Sequence, residues 1–488
     1  MGRQLKLKDF TPKDYEEFSI RLHTQLQELR EGIKGSSFNK RHFSLGAELE
    51  VYLVDDEGRP ANVNEEILEA ARDPRLTPEI NRYNLELNFT PVDGCHGALF
   101  NPLEKEMYSL FDTVQGHARK LGADIVPIGI LPTLEKGHLE EGSMMTDRDR
   151  YHALRKSLCG PEDKPYKINI TGLDTLTLSG KGVCVEGANT SFQIHLRLPA
   201  DEFTDYFNAA QLATPLFLAL SANSPLVLGH RLWQESRIAL FKQSVDFRDH
   251  ENPEWKQPSR VSFGYGWARK EAWELFMESV ALYPPLLPVI NDLDESDSTT
   301  LFELCLHHGT IWPWNRAVYG AGDEGHLRIE FRSLPAGPSI VDMMANAVLA
   351  IGLTLGFKDT IDYYSARLPF RFAEYNFYRA AQRGLGARLI WPKVGQGGVL
   401  ERPITDIIQE FLPVAREGLK RLETCPDEID RLWKIVEQRF EKRTTGAKWQ
   451  LDRFEHYRKN CSVEESCHRM LVDYRNNMMA RGSVVDWC

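Results

Sequence analysis

Residues 45–54 read LGAELEVYLV, an alternation of side chains that predicts a β-strand. Successive side chains of a strand point to opposite faces, which places Glu48 and Glu50 together on one face and leaves an apolar set on the other. Two neighbouring carboxylates repel each other unless water or a cation compensates their charge. An antiparallel strand with one solvated face would show the same alternation, so this strand alone does not identify a site.

The same pattern returns in three later segments, and together the four predict one sheet whose polar face is the floor of a cavity. Their polar faces carry carboxylate, amide, imidazole and guanidinium groups at short spacing. Such groups are typical of a site that binds hard cations and phosphate oxygens. The three segments, with the polar residues they present, are 84–89 (NLELNF) with Glu86, 191–198 (SFQIHLRL) with Gln193 and His195, and 327–334 (LRIEFRSL) with Glu330 and Arg332.

Length and charge limit the classes of function. The chain has 488 residues, which is enough for about three domains or for one large domain with additions. Its 59 basic and 70 acidic residues give a net charge of −11, and no basic stripe with interleaved aromatic residues stands out. Nucleic acid is therefore not the expected partner, whereas local arginine clusters in an acidic chain suit a small anionic substrate.

Cysteine usage and hydropathy predict a cytoplasmic protein without a membrane partner. The eight cysteines are scattered and form no CxxC pair, which argues against a zinc ribbon and against a disulfide framework. The first residues lack the apolar core of a secretory signal. Two long uncharged stretches, 206–229 and 343–357, are expected to be buried helices, because prolines interrupt the first and the second is too short to span a bilayer.

The order of the predicted elements favours an α+β fold with an antiparallel sheet over a doubly wound parallel sheet. We expect a catalytic domain over residues 1–390, including an N-terminal helix at 12–33, and a helical C-terminal region over 391–488 packed on it. Three further expectations are loops and short helices over 135–182, one continuous strand over 183–198 and a strand over 299–305.

Several common catalytic motifs are missing from the sequence. It contains no GxxxxGK[ST], HExxH or GxSxG, which argues against a P-loop, a zinc protease and a serine hydrolase of the α/β type. His307 and His308 are adjacent, and neighbours on a strand point to opposite faces, so we do not expect them to bind one metal together.

The positive evidence lies in the four polar strand faces. Mg²⁺ or Mn²⁺ takes oxygen ligands and tolerates an imidazole, and several carboxylates can share two or more such ions with substrate phosphates. Arg332 is placed either to reach a phosphate or to form a salt bridge with Glu330. Arg237 and Arg316 lie near the ends of predicted elements, where both anion binding and simple surface exposure are common. The candidate metal ligands are Glu48, Glu50, Glu86, His195 and Glu330.

Seven segments, in this order from about residue 43 to residue 452, resemble the type 2 glutamate–cysteine ligase family, and in particular its bacterial carboxylate–amine ligases. They are GAELEVYLVD, NLELNFTPV, FQIHLRL, ALSANSPLVLGHRLWQESRI, GTIWPWNRAVYG, LRIEFRSLP and TTGAKWQ. The chain departs from the family in one strand, where bacterial members often have HVHVG and this chain has QIHLR at 193–197.

The resemblance implies a fold of the glutamine-synthetase type. In that fold a curved, largely antiparallel sheet holds divalent cations, ATP and glutamate on its concave face, and helices pack on its convex face. The implied activity is that of an ATP-dependent carboxylate–amine ligase. ATP phosphorylates a carboxylate, of glutamate or a similar acid, and an amine attacks the resulting acyl phosphate. ATP, Mg²⁺ or Mn²⁺, the acid and the amine are the implied small-molecule partners, and a homo-oligomer is left open.

The resemblance also implies roles for single residues. Glu48, Glu50, Glu86, His195 and Glu330 would bind the metal ions. The catalytic set would be Glu330, Arg332 and Arg316, with both arginines on phosphoryl groups, and the substrate-binding set would be Arg237, Gln193 and Asn189. Two alternatives stay open: a related phosphotransferase that stops after phosphorylation, and a non-catalytic nucleotide- or metal-binding protein. The presence of all five ligands disfavours the second alternative.

Overall fold

The predicted strands pair into one antiparallel sheet in a computed structural model of the chain, which describes residues 10–35, 38, 43–94, 97–160, 162–248, 257–291, 300–321, 325–393 and 397–487. The strands are β1 Ser44–Val54, β2 Leu76–Pro78, β3 Asn84–Asn88, β4 Val92–Asp93, β5 Asp124–Val126, β6 Tyr166–Thr171, β7 Thr175–Gly180, β8 Phe192–Arg197, β9 Leu226–Val227, β10 His230–Arg231, β11 Val261–Ser262, β12 Trp312–Pro313, β13 Asn315–Gly320, β14 His326–Phe331, β15 Arg388–Pro392 and β16 Val399–Pro403.

Helices make up most of the regular structure outside the strands. They are α1 Pro12–Lys34, α2 Asn64–Ala71, α3 Phe100–Lys120, α4 Asp149–Cys159, α5 Cys184–Gly187, α6 Phe203–Ser221, α7 Arg237–Ser244, α8 Trp273–Leu282, α9 Phe302–His308, α10 Ile340–Phe357, α11 Ile361–Ser365, α12 Phe370–Arg383, α13 Ile404–Leu419, α14 Pro426–Glu441, α15 Gly446–Arg458 and α16 Val463–Met479. The predicted N-terminal helix is confirmed as α1, which begins at a capping box formed by Thr11 and Asp14.

The large sheet has the strand order β13–β14–β8–β1–β3–β2, and β1 also pairs with β4 and β5. All of these pairings are antiparallel, as the alternating side chains predict. The four strands with polar faces, β14, β8, β1 and β3, are therefore consecutive neighbours. The α+β class with a largely antiparallel sheet is confirmed.

The apolar face of the sheet builds the main core. Leu49, Ile194 and Ile329 have no exposed surface and share a core with α6 and α10. Among the described residues one helical stretch, Ile340–Ser365, is long and apolar enough to cross a membrane, but 94% of its most apolar window is buried. That burial is typical of a core helix in a soluble protein.

A second core lies at the end of β1, where Tyr52 packs with residues of the C-terminal helices α15 and α16, among them Trp449 and Tyr474. Helices α13 and α14 instead join the main core. The C-terminal region therefore shares both cores with the rest of the chain. The division at residues 390 and 391 remains a proposal, and strand β15 runs across it.

Three local predictions are wrong. Residues 183–198 are not one strand, because α5 occupies 184–187 and β8 begins only at Phe192. The segment 135–182, expected to be loops and short helices, contains the hairpin β6–β7. The segment 299–305 enters helix α9 instead of a strand, and Thr299 lies outside the described residues. Short segments carry few turns of either periodicity, so packing partners decide their structure.

Candidate active site

The polar face of the sheet brings together two groups of possible metal ligands, and within each group the ligand atoms lie within 4.8 Å of one another. We call them the Glu48 group (Glu48, His195 and Glu330) and the Glu50 group (Glu50, Glu79 and Glu86). The strand register explains both groups, since His195 lies opposite Glu330 and Glu50 lies opposite Glu86. All five predicted ligands thus converge in space, although β1 and β14 are far apart in the sequence.

Glu330 is fully buried and is held by two arginines. Arg316 donates from Nε and Nη2 to its two carboxylate oxygens at 2.6 and 3.0 Å, and Arg332 donates from Nη1 at 2.6 Å. Burial alone would raise the pKa of Glu330, but the charges of Arg316 and Arg332 outweigh it and hold this pKa well below its ordinary value. Glu330 is therefore ionised at neutral pH, and of the two alternatives for Arg332 the salt bridge with Glu330 is the one that is present.

The rest of the Glu48 group is linked more loosely. His195 Nε2 lies 3.4 Å from a carboxylate oxygen of Glu48, and Arg328 Nε donates to His195 Nδ1 at 3.1 Å. Burial raises the pKa of Glu48, but the nearby His195 lowers it below its ordinary value. A metal-bound imidazole normally donates from its second nitrogen, whereas Nδ1 here accepts from Arg328. With Glu330 also paired, this group fits a cation only if its arginines move.

The Glu50 group consists of carboxylates alone. Glu50 accepts hydrogen bonds from the backbone N–H of Ser191 at 2.7 Å and from Gln193 Nε2 at 3.0 Å. Glu86 accepts from Thr77 Oγ1 at 2.6 Å. Neither carboxylate has an arginine within salt-bridge distance among the described residues.

The charges of this group oppose one another. Burial and the charge of Glu86 raise the pKa of Glu50 to about 7. Burial, together with the charges of Glu86 and Glu50, raises the pKa of Glu79 well above its ordinary value, and burial also raises the pKa of Glu86. Three hard oxygen ligands with mutual repulsion are the donor set that Mg²⁺ or Mn²⁺ relieves. The Glu50 group therefore fits a divalent cation.

A pocket opens beside the Glu50 group, and two of the three predicted substrate-binding side chains, Arg237 and Asn189, line it, whereas Gln193 does not. Arg237 is 2% exposed and donates to the carbonyl oxygens of Arg332 and Ser333 at 3.2 and 3.3 Å. Gln193 accepts from Arg332 Nη1 at 2.8 Å while it donates to Glu50, so it connects the two ligand groups. The residues that line the pocket are Glu50, Glu79, Asn84, Glu186, Gly187, Asn189, Thr190, Ser191, Arg237, Phe241, Trp314 and Arg332.

Asn189 is fixed at the rim of this pocket by the end of α5. Its Nδ2 donates to the carbonyl oxygens of Val185 and Glu186 at 2.8 and 3.0 Å. Its Oδ1 has no hydrogen-bond partner in the described part of the chain and is buried. Asn189 therefore offers the pocket one acceptor of fixed orientation.

Two acidic residues of the site were missed in the sequence. Glu79 follows strand β2, which has only three residues and contains a proline, so the sequence does not predict it as a strand. The position of Glu79 shortly before the Glu86 strand is the one signal that could have indicated a role. Glu186 lies in α5, inside the segment that was predicted to be a strand. Burial and the charge of Glu50 raise the pKa of Glu186 to about 7. Both lie in or beside elements too short for local periodicity to resolve.

Comparison with known proteins gives a family match for part of the chain. Residues 44–265, which contain β1, β3, β8 and Arg237, match the family model described as glutamate–cysteine ligase family 2. No curated protein matches the chain by sequence.

Solved structures extend the likeness over most of the chain. A crystal structure of a glutamate–cysteine ligase from Francisella tularensis in complex with AMP superposes with a TM-score of 0.56 at 13% identity, over 92% of this chain and 91% of that chain. A bifunctional glutathione synthetase from Pasteurella multocida superposes with a TM-score of 0.49 at 12% identity, over 93% of this chain and 55% of that one. The likeness to the Francisella tularensis structure shows a shared fold.

Proposed function

We propose that the chain, whose residues 44–265 match the model of glutamate–cysteine ligase family 2, is an ATP-dependent carboxylate–amine ligase. The donor in this proposal is glutamate or a similar acid, and the reaction passes through an acyl phosphate. One observation carries the proposal: two groups of cation ligands and two arginines converge beside a pocket that contains a buried arginine.

In this proposal different arginines bind the phosphoryl group and the acid. Arg316 and Arg332 hold Glu330 in the present arrangement, and guanidinium groups recognise phosphoryl oxygens as well as carboxylates. We assign them to the phosphoryl group that is transferred. Arg237, on the pocket wall, is assigned to the carboxylate of the acid, while Gln193 and Asn189 orient the same substrate.

Metal binding is proposed for both ligand groups, and the Glu50 group fits a cation as it stands. Mg²⁺ or Mn²⁺, when bound, supplies positive charge that stabilises phosphoryl oxygens during transfer. Glu79 joins Glu50, Glu86, Glu48, His195 and Glu330 as a proposed ligand. In the Glu48 group, ligation requires that Arg316, Arg332 and Arg328 exchange their present partners for substrate oxygens.

The proposed partners are small molecules, namely ATP, the acid and an amine. A homo-oligomer remains an open proposal. The six cysteines that the structure describes are all free thiols. Because thiols persist in reducing compartments, the cytoplasm remains the proposed location.

The test is a screen of acids and amines with ATP and Mg²⁺, scored by ADP release and by product mass. We expect ADP release that depends on L-glutamate or a related acid, together with a condensed product. A phosphorylated acid or amine without condensation would instead identify a phosphotransferase. No ADP release with any pair would support a non-catalytic binding protein.

A further inference from the structure

The last of the seven resembling segments, TTGAKWQ at 444–450, lies outside the sheet and has no place in the proposed chemistry. Thr445 caps the start of α15 by accepting a hydrogen bond from the backbone N–H of Lys448 at 3.0 Å. The first turn of α15 then lies against residues 222 and 223, where Ala447 N donates to Ala222 O at 2.8 Å. The segment therefore docks the C-terminal helix onto one point of the chain.

Asn223 is that point, and α15 holds it closely. A Cβ atom on Gly446 would lie 2.0 Å from Asn223 Oδ1, so only glycine allows this approach. Gln450 Nε2 donates to both oxygens of Asn223, at 2.9 Å to the backbone carbonyl and at 2.7 Å to Oδ1. Gln450 and Asn223 have no exposed surface. Buried polar contacts of this kind fix a side chain in one orientation.

From Asn223 the hydrogen bonds lead to the pocket. The backbone N–H of Asn223 donates to Glu235 Oε2 at 2.8 Å, and the hydroxyl group of Ser224 donates to Glu235 Oε1. Glu235 Oε1 lies 3.6 Å from Arg237 Nη1, and Ser224 Oγ accepts from Arg237 N at 3.3 Å. Both contacts orient Arg237, whose aliphatic part packs against Gly129.

We infer that Gln450 is a positioning residue for Arg237, so that the C-terminal helix α15 sets the site for the substrate carboxylate through Asn223 and Glu235. The substrate part of this inference rests on the proposed function. The positional part rests on the hydrogen bonds alone. These contacts link Gln450 to the substrate only indirectly, through Asn223, Glu235 and Arg237.

The test compares Gln450→Leu with Gln115→Leu. Gln115 is also buried and also reaches a C-terminal helix, because its Nε2 contacts Asp124 Oδ1 at 2.8 Å and the sulfur of Met479 in α16. It has no contact with Asn223 or Glu235 among its described hydrogen bonds. Both substitutions remove one buried amide, so a general loss of stability affects both variants.

In the ligase assay, Gln450→Leu is expected to raise the KM for L-glutamate about tenfold, the effect of roughly one lost hydrogen bond. Its KM for ATP and both KM values of Gln115→Leu are expected to stay near those of the parent. Equal increases for glutamate and ATP in Gln450→Leu, or the same change in both variants, would overturn the inference.

Crystal structures of the two variants give a readout that needs no activity. We expect the Arg237 guanidinium group to move by about 1 Å in Gln450→Leu, a displacement that is large for a catalytic site, and to stay in place in Gln115→Leu. An unmoved Arg237 would overturn the inference.

A parent enzyme without glutamate-dependent ADP release would reject the proposed function only, since the position of Arg237 still decides the inference. If Gln450→Leu does not fold, Gln450→Asn, which withdraws the amide by one methylene group, takes its place.

Discussion

The Glu79 carboxylate accepts a hydrogen bond from the backbone N–H of Ile80 but from no lysine or arginine in the described part of the chain, and it lies beside the carboxylates of Glu50 and Glu86. We expect Glu79→Gln to raise the Tm of the metal-free protein at pH 8, because it removes one of three repelling charges. The same change is expected to remove most of the Tm increase that Mg²⁺ produces. Thermal unfolding with EDTA or with Mg²⁺ measures both effects.

Glu278→Gln is the matched control for this experiment. Burial raises the pKa of Glu278 to about 7, as it does for Glu50, but Glu278 lies in α8 and outside the Glu50 group. The Mg²⁺-dependent increase in Tm should therefore stay that of the parent. A parental increase in Glu79→Gln as well would show that Glu79 does not bind the cation.

Glu330 compensates two arginines, which makes it a structural residue as well as a proposed catalytic one. Glu330→Gln leaves Arg316 and Arg332 without their carboxylate in a buried position. Breaking a buried ion pair in this way costs about 3–5 kcal/mol of unfolding free energy. Urea unfolding measures the loss, and Glu48→Gln on the same sheet face, whose side chain is 25% exposed, should lose much less. Equal losses in the two variants would contradict this account.

The convergence of the five proposed ligands could be predicted from the sequence because each one lies on a strand with a clear alternation. Glu79 and Glu186 were not, since a short strand and a four-residue helix carry them. Of the two arginines that pair with Glu330, only one could be placed near it from the sequence. Sequence placed Arg332 near Glu330, whereas the pairing of Arg316 with Glu330 follows from the register of β13 and β14.

At the scale of elements, α10 and α13 approach each other through glycines. A Cβ atom on Gly418 would lie 2.4 Å from the backbone nitrogen of Gly356 and 2.6 Å from the carbonyl oxygen of Gly352. Backbone atoms cannot move aside as a flexible side chain can. We expect Gly418→Ala to lower the unfolding free energy by about 1–3 kcal/mol, as overpacking does in other cores.

Gly116→Ala provides the comparison, because Gly116 lies inside helix α3 and a Cβ atom there would meet nothing within 4 Å. Alanine costs less conformational entropy in a helix, so this variant should gain about 0.5–1 kcal/mol. Denaturant unfolding of both variants checks the contrast. A Gly418→Ala variant as stable as the parent would mean that the two helices can separate without loss.

Elements with many residues in one pattern were predicted well. Strand β1 alternates over most of its 11 residues and α10 is largely apolar over 18 residues, so local sequence predicts both. The hairpin β6–β7 exposes alternate residues from Lys167 to Ser179. Because these exposed residues are polar, the segment resembles a loop in the sequence although its other residues are buried. Helix α9 buries Glu303, His307 and His308 through packing against its neighbours, among them α1 and α8, which the local sequence does not reveal.

At the scale of the whole molecule, the buried carboxylates link stability to pH. Burial raises the pKa of Glu50 and that of Glu186 from 4.5 to about 7. A carboxyl group whose pKa is higher in the folded state contributes stability that is complete below pH 4.5 and is lost as the pH rises through about 7. Glu330, whose pKa is lowered, contributes the opposite dependence only below this range.

The metal-free protein should therefore lose Tm between pH 5 and pH 8, values chosen to bracket the titration of these two groups. Mg²⁺ should raise the Tm more at the upper pH, where the ligands are ionised and available. Thermal scans at both pH values, with EDTA and with Mg²⁺, check this. An increase of the same size at both would contradict cation binding by these carboxylates.

The sheet order has a consequence for how the protein is made. Strand β1 pairs with β8, and β8 pairs with β14. The sheet is therefore complete only after β14, which begins at His326, has been added. A ribosome releases Glu48 and Glu50 long before it releases the arginines of the later strands. The nascent chain thus carries these carboxylates before the strands that complete the polar face, and assembly must wait for contacts between distant segments, which form slowly.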